Sequence, residues 1–156
     1  TVIGYDLINV SNMKNKTQTW EQYFNSGNAF ANGGDNEKAL EQLQEASKIC
    51  PDHALTWNNI GVAKMCLGYF EESIEYFNKA IELDYKYKDA YHNRGLAHSD
   101  LGDLTASLKD LSKAIELDNC YWSAYRHRSI VYHMIGNERK SSEDYIRAQT
   151  LYEPKD

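Results

Sequence analysis

Four glycines, Gly34, Gly68, Gly102 and Gly136, recur at intervals of 34 residues, and that spacing limits what the chain can become. Three further classes of residue keep the same register. Ala46, Ala80, Ala114 and Ala148 form one set, and the aromatics Tyr23, Trp57, Tyr91 and Tyr125 form another. The third is Gly27, Gly61 and Gly95, with Ser129 as its fourth member. A chain that repeats at this interval builds one supersecondary unit several times over, not a single globular core. Counted from Trp20, the units are 20–53, 54–87, 88–121 and 122–153, flanked by an extension, 1–19, and a short tail, 154–156.

Each unit reads as two helices around a break. In the third, Leu104, Leu108, Leu111, Ala114 and Ile115 follow Gly102 at three- and four-residue steps, which places them on one helix face. Gly102 stands where the first helix must stop, because glycine accepts the left-handed geometry of such a stop. The spacing predicts first helices over 20–33, 54–67, 88–101 and 122–135, and second helices over 36–49, 70–83, 104–117 and 138–151. Pro51 falls just beyond the first pair, where it ends a helix at little cost. The small residues Gly61, Gly95, Ala80 and Ala114 let neighbouring helices approach closely. One hairpin cannot bury its apolar stripe alone, but four can, because each covers the next.

Two units carry a charged pair. Arg94 and Arg128 hold equivalent positions, and Asp110 and Asp144 lie sixteen residues later on the second helix of the same hairpin. The other two units have Ser26 with Gln42 and Ile60 with Tyr76. The pairing predicts ion pairs Arg94–Asp110 and Arg128–Asp144, since an arginine fork binds a carboxylate with two hydrogen bonds.

The segments WNNIGVAKMCLGYFEESIEYFNKAIELD and YHNRGLAHSDLGDLTASLKDLSKAIELD resemble tetratricopeptide repeats, and the likeness extends over about residues 20–153. It implies an all-α fold, a right-handed α-α superhelix of helix-turn-helix repeats whose first helices line a concave groove. It also implies a scaffold or adaptor that binds an extended peptide segment of another protein. The family's co-chaperone clamp for an acidic terminus is not expected, because Phe24, Asp89 and Asn93 stand where its cations belong.

Within the groove that the resemblance implies, Asn25, Asn59 and Asn93 hold one position in three successive repeats, and His127 takes it in the fourth. A primary amide both donates and accepts, so such a ladder can pair with an extended backbone. Phe24, Asn28, Asn58, His92 and Arg126 complete the expected peptide-binding set. The competing reading is that these amides satisfy helix backbone or one another.

No glycine-rich phosphate loop, G-x-S-x-G elbow or H-E-x-x-H motif is present, so the chain is read as non-catalytic. No cofactor and no metal are expected. His92 and His98, like His127 and His133, are six residues apart and do not share a helix face. A net charge of −6 argues against nucleic acid as the main partner. No apolar run approaches the ~18 residues of a membrane span.

Three scattered cysteines form no disulfide framework, which with the lack of a recognisable signal peptide gives an expected cytoplasmic, reduced setting. The apolar segment Val2 to Val10 is expected to cap the first hairpin, fill a groove or lead from an upstream domain. A homodimer by end stacking or tail exchange is a further expectation. Two other readings remain open: a regulatory or targeting segment of a larger enzyme, and a self-assembling structural module.

Overall fold

Every hairpin turn solves the same problem, that of ending one helix and starting another within three residues. The computed structural model describes residues 18–152. It contains α1 (Trp20–Asn32), α2 (Asn36–Ile49), α3 (Ala54–Cys66), α4 (Phe70–Leu83), α5 (Lys88–Asp100), α6 (Leu104–Leu117), α7 (Trp122–Met134) and α8 (Glu138–Tyr152). The roles expected for the start of the chain, and the tail at 154–156, lie outside the described residues.

Gly34, Gly68, Gly102 and Gly136 adopt φ of 83°, 84°, 80° and 77°, and no other described residue has positive φ. Each is followed by a residue whose N–H returns to the first helix: Asp35 to the Phe30 carbonyl, Tyr69 to Lys64, Asp103 to His98 and Asn137 to Tyr132. This is the Schellman stop, which satisfies carbonyls the helix end leaves open. The same four residues precede the second helices. Asp35 and Asp103 accept from the N–H of Lys38 and Ala106, and Asn137 from that of Lys140. One residue thus closes one helix with its backbone N–H and, in three of the four turns, opens the next with its side chain. The first helices end one residue earlier than predicted, because the residue before the glycine already serves as the cap.

Within a hairpin the backbones approach to a distance that excludes a side chain. A Cβ on Gly27 would lie 2.6 Å from Leu43 Cγ, and one on Gly61 2.6 Å from the Phe77 ring. Each hairpin then packs on the next, α2 on α3, α4 on α5 and α6 on α7. The buried side chains run along the whole stack, among them Leu43, Ile60, Phe77, Leu111 and Val131. The odd-numbered helices also touch one another in series, whereas the even-numbered helices do not. The stack is therefore closer on the side of α1, α3, α5 and α7, which makes that side the inner wall. Among the described residues no helix is long and apolar enough to cross a membrane.

Both arginine forks form. Arg94 Nε and Nη2 donate to the Asp110 carboxylate, each at 2.7 Å, and Arg128 does the same to Asp144 at 2.7 and 2.9 Å. The third nitrogen of each reaches back one hairpin, Arg94 Nη1 to Asn78 Oδ1 at 2.5 Å and Arg128 Nη1 to Ser112 Oγ at 3.0 Å. Each arginine therefore ties three helices together across a junction. Asp144 raises the pKa of Arg128 further, above its already high value.

The carboxylates of Asp110 and Asp144 are buried. Removing one partner strands the other charge, so Asp110→Ala should cost about 3–5 kcal/mol. The double replacement Arg94→Leu with Asp110→Leu should cost much less, since two apolar groups replace a pair. Urea unfolding of the three proteins measures both effects. Equal losses in the single and double variants would refute this account of the fork.

Candidate functional site

The inner wall carries a chain of polar side chains that crosses every hairpin junction. Asn59 Nδ2 donates to Asn28 Oδ1 at 2.8 Å, Asn58 Nδ2 to Asn59 Oδ1 at 3.2 Å, and Asn93 Nδ2 to Asn58 Oδ1 at 3.0 Å. Four amides from three hairpins are thereby joined. Farther along, His92 Nε2 lies 2.8 Å from His127 Nδ1, with Ser123 Oγ at 3.3 and 3.4 Å from the two nitrogens. Beside them the Tyr121 hydroxyl donates to Asp89 Oδ1 at 2.7 Å, and Lys88 pairs with Asp118 at 2.5 Å.

The geometry behind this chain is a stagger. Asn58 meets Asn93 and His92 meets His127, in each case 35 residues apart. At these two junctions the fifth residue of one inner helix meets the sixth of the next, while at the first junction Asn28, the ninth residue of α1, meets Asn59, the sixth of α3. The amides consequently bond to one another, as the competing reading holds, yet they keep capacity. A primary amide has two donors and a carbonyl with two lone pairs. Among the described residues, both N–H groups of Asn28 have no partner, and Asn28 is partly exposed. Asn28, Ala31, Asn32, Asn59 and Val62 line an open cleft of about 330 Å³ between α1 and α3.

The expected site residues do not all share one environment. Asn25 is exposed and stands apart from the amide chain. Asn58 and His92 are buried, and each fixes its neighbour across a junction. Phe24 packs in an aromatic cluster with Trp20 and His53, at ring separations of 5.9 and 5.2 Å. Arg126 is exposed on the last hairpin, beside Trp122, Tyr145, Gln149 and Tyr152. Tyr121 and its bond to Asp89 escaped the sequence reading, because Tyr121 sits in a loop between hairpins and only packing brings it to His92, at a ring separation of 5.1 Å. Among the described residues no group of three or more His, Cys, Asp or Glu side chains is arranged to hold a metal ion.

Burial, and secondarily His127, pushes the pKa of His92 down to about 4, against the opposing pull of Asn93 and Asp89. Burial also lowers that of His127, with the charge of Arg126 acting in the same direction. Two neutral rings can share one N–H between them, whereas two protonated rings would repel.

The chain matches two family models, one described as TPR repeat over residues 27–68 and one as Tetratricopeptide repeat over residues 52–126. It is 34% identical over 64 residues to an uncharacterized protein of Methanocaldococcus jannaschii, a match covering 41% of this chain and 74% of that protein. It is 32% identical over 63 residues to the small glutamine-rich tetratricopeptide repeat-containing protein 2 of Mycosarcoma maydis, covering 40% of this chain but only 18% of that longer protein.

Among solved structures, MamA superposes with a TM-score of 0.81 at 20% identity, over 90% of this chain and 82% of that one. The first TPR of Spaghetti (RPAP3), bound to the HSP90 peptide SRMEEVD, superposes with a TM-score of 0.74 at 21% identity, over 78% and 96%. YrrB, described as a TPR protein with an unusual peptide-binding site, does so with a TM-score of 0.73 at 18% identity, over 85% and 69%. At these identities the three structures speak to the fold alone.

The histidine pair has a measurable consequence. A folded pKa held below that of the unfolded chain means that the unfolded state binds the proton more tightly. The contribution is complete above the unfolded value of 6.5 and is lost as pH falls from there toward about 4. For His92 the loss should be on the order of 3 kcal/mol. His92→Gln keeps an amide beside His127 and should flatten the dependence in that window. Urea midpoints measured from pH 7 to pH 4 decide it, and parallel curves for the two proteins would refute it.

Proposed function

Since the chain belongs to the tetratricopeptide repeat family, we propose that it is a protein-interaction scaffold that holds an extended segment of another protein along the wall of α1, α3, α5 and α7. One observation carries the reading. An amide chain crosses three hairpins and still has N–H groups to spend. An extended backbone presents the complementary groups at regular intervals. Asn25, Asn28, Asn59, Asn93 and His127 make the contacts. Asn58 and His92 hold their neighbours in place, and Phe24 and Arg126 stand at the two ends of the wall. Val62, Leu96 and partly exposed Leu55 supply apolar seats between the amides.

The wall favours neutral or basic segments. Its charged side chains include Glu21, Asp89 and Asp100 against Arg126. An acidic terminus would find no cluster of cations there. Backbone recognition also implies modest affinity, since each net hydrogen bond contributes about 1 kcal/mol and ordering the segment opposes it. Micromolar binding is the expected scale.

The test is selection from a random-peptide library, followed by titration of the enriched peptides. Asn59→Ala with Asn93→Ala should weaken the selected peptides by roughly tenfold to a hundredfold, the loss of one to three hydrogen bonds. Glu75→Lys, on the outer face of α4, should leave them unchanged. Full binding by the asparagine variant, with loss in the outer-face variant, would place the partner on the convex side and overturn the proposal. Thermal melts of both variants establish that they are folded.

A further inference from the structure

The two ends of the stack expose positions that every internal junction closes. Leu43, Phe77 and Leu111 are each 0% exposed, whereas Tyr145, at the same repeat position, is 50% exposed. Ile130, Ile146 and Tyr152 widen that open apolar face. At the other end, Ala29 is exposed where Ala63, Ala97 and Val131 are buried.

The polar register of the junctions extends to the ends as well. At the two later junctions the fifth residue of an inner helix meets the sixth of the next, Asn58 with Asn93 at 3.0 Å and His92 with His127 at 2.8 Å. It also approaches the second residue of the next, as His92 does with Ser123 at 3.3 Å. The fifth residue of α7 is Arg126. The second and sixth residues of α1 are Glu21 and Asn25. All three are exposed. Among the described residues neither Arg126 nor Glu21 has an ion-pair partner, and the Asn25 amide makes no hydrogen bond. A cation at one end thus faces, in the register of the fold, a carboxylate and an amide at the other.

We propose that the chain associates head to tail with a second copy of itself, α7 and α8 of one protomer seating on α1 and α2 of the next, with Arg126 set against Glu21 and Asn25. The contact continues an interface the molecule already makes three times. It is heterologous, so the same two faces remain open after each addition and growth does not stop at a dimer. Apolar burial around Tyr145 supplies the attraction, and the ion pair supplies the register. The pair is near the surface, so salt weakens the association.

Sedimentation velocity of the full chain tests this, from micromolar to near-millimolar concentration, at about 0.1 M and about 1 M salt, where screening lengths are roughly 10 and 3 Å. Wild type should grow past dimer with concentration, and less so at high salt. Arg126→Glu and Glu21→Arg should each weaken association at least tenfold. The doubly reversed chain should recover it, and so should an equimolar mixture of the two single variants, because both restore opposite charges at every junction. A monomer at all concentrations overturns the proposal. So do single variants that match wild type, or reversed charges that fail to rescue. A closed dimer indifferent to Glu21→Arg also overturns it, since that result means two C-terminal faces meeting each other.

Discussion

A helical hairpin has an apolar stripe wider than its own two helices can cover, and the structure follows from how that deficit is met. The partner helix covers one side, and the following hairpin covers the other. Close cover requires small residues where helices meet, which is why Gly27 and Gly61 face Leu43 and Phe77 with no room for a side chain, and Gly95 faces Leu111 with little. It also requires that each helix end within a fixed number of residues, so that the next starts in register. The left-handed glycines and the shared capping residues impose that length. Buried area grows with each hairpin, and no hairpin needs to be stable alone.

The junctions are not chemically uniform. Between the first two hairpins the contact is largely apolar, with Ile60 fully buried. Where Arg94 and Arg128 replace an apolar residue at that position, a partly buried guanidinium binds a buried carboxylate and a polar group from the preceding hairpin. Such a fork adds little net stability over an apolar contact, yet it is intolerant of misalignment, because a displaced hairpin would leave charge unpaired. Tyrosine rings flank both arginines, Tyr91 at 5.5 Å and Tyr125 at 5.6 Å from the guanidinium carbon, and add cation–π attraction. The later hairpins are thus held in register by directional bonds, while the earlier ones rely more on shape. The inner wall divides by chemistry instead, amides toward the first end and paired histidines toward the second, with hydrogen bonds across every junction.

Much of this was legible in the residues themselves. The glycine interval set the helix count and, to within one residue, the helix ends, because a left-handed stop is a local property that glycine alone supports at low cost. Arg94 with Asp110 and Arg128 with Asp144 were legible for a different reason. An arginine drawn partly out of solvent needs a carboxylate, and the two hairpins that have the arginine are the two that have the aspartate. The site was less legible. Asn58 and Asn59 are neighbours in sequence, yet Asn58 is buried and bonds forward to Asn93, while Asn59 stays partly exposed and bonds back to Asn28. Nothing local separates them. Arg126 shares its repeat position with buried His92, but it lies open because no described hairpin follows it.

Periodicity of 34 residues, the left-handed glycines and the matched charges already specified paired helices, their order and their stacking, since each is a near-neighbour requirement written in the type of residue. The offset by which one hairpin meets the next was not written there. It depends on the angle at which whole helices cross, and that angle is settled by all the side chains at a junction together. The stagger of one residue between inner helices at the two later junctions, the polar chain along the wall, and the choice of which amides keep hydrogen-bonding capacity for another molecule all came from that packing.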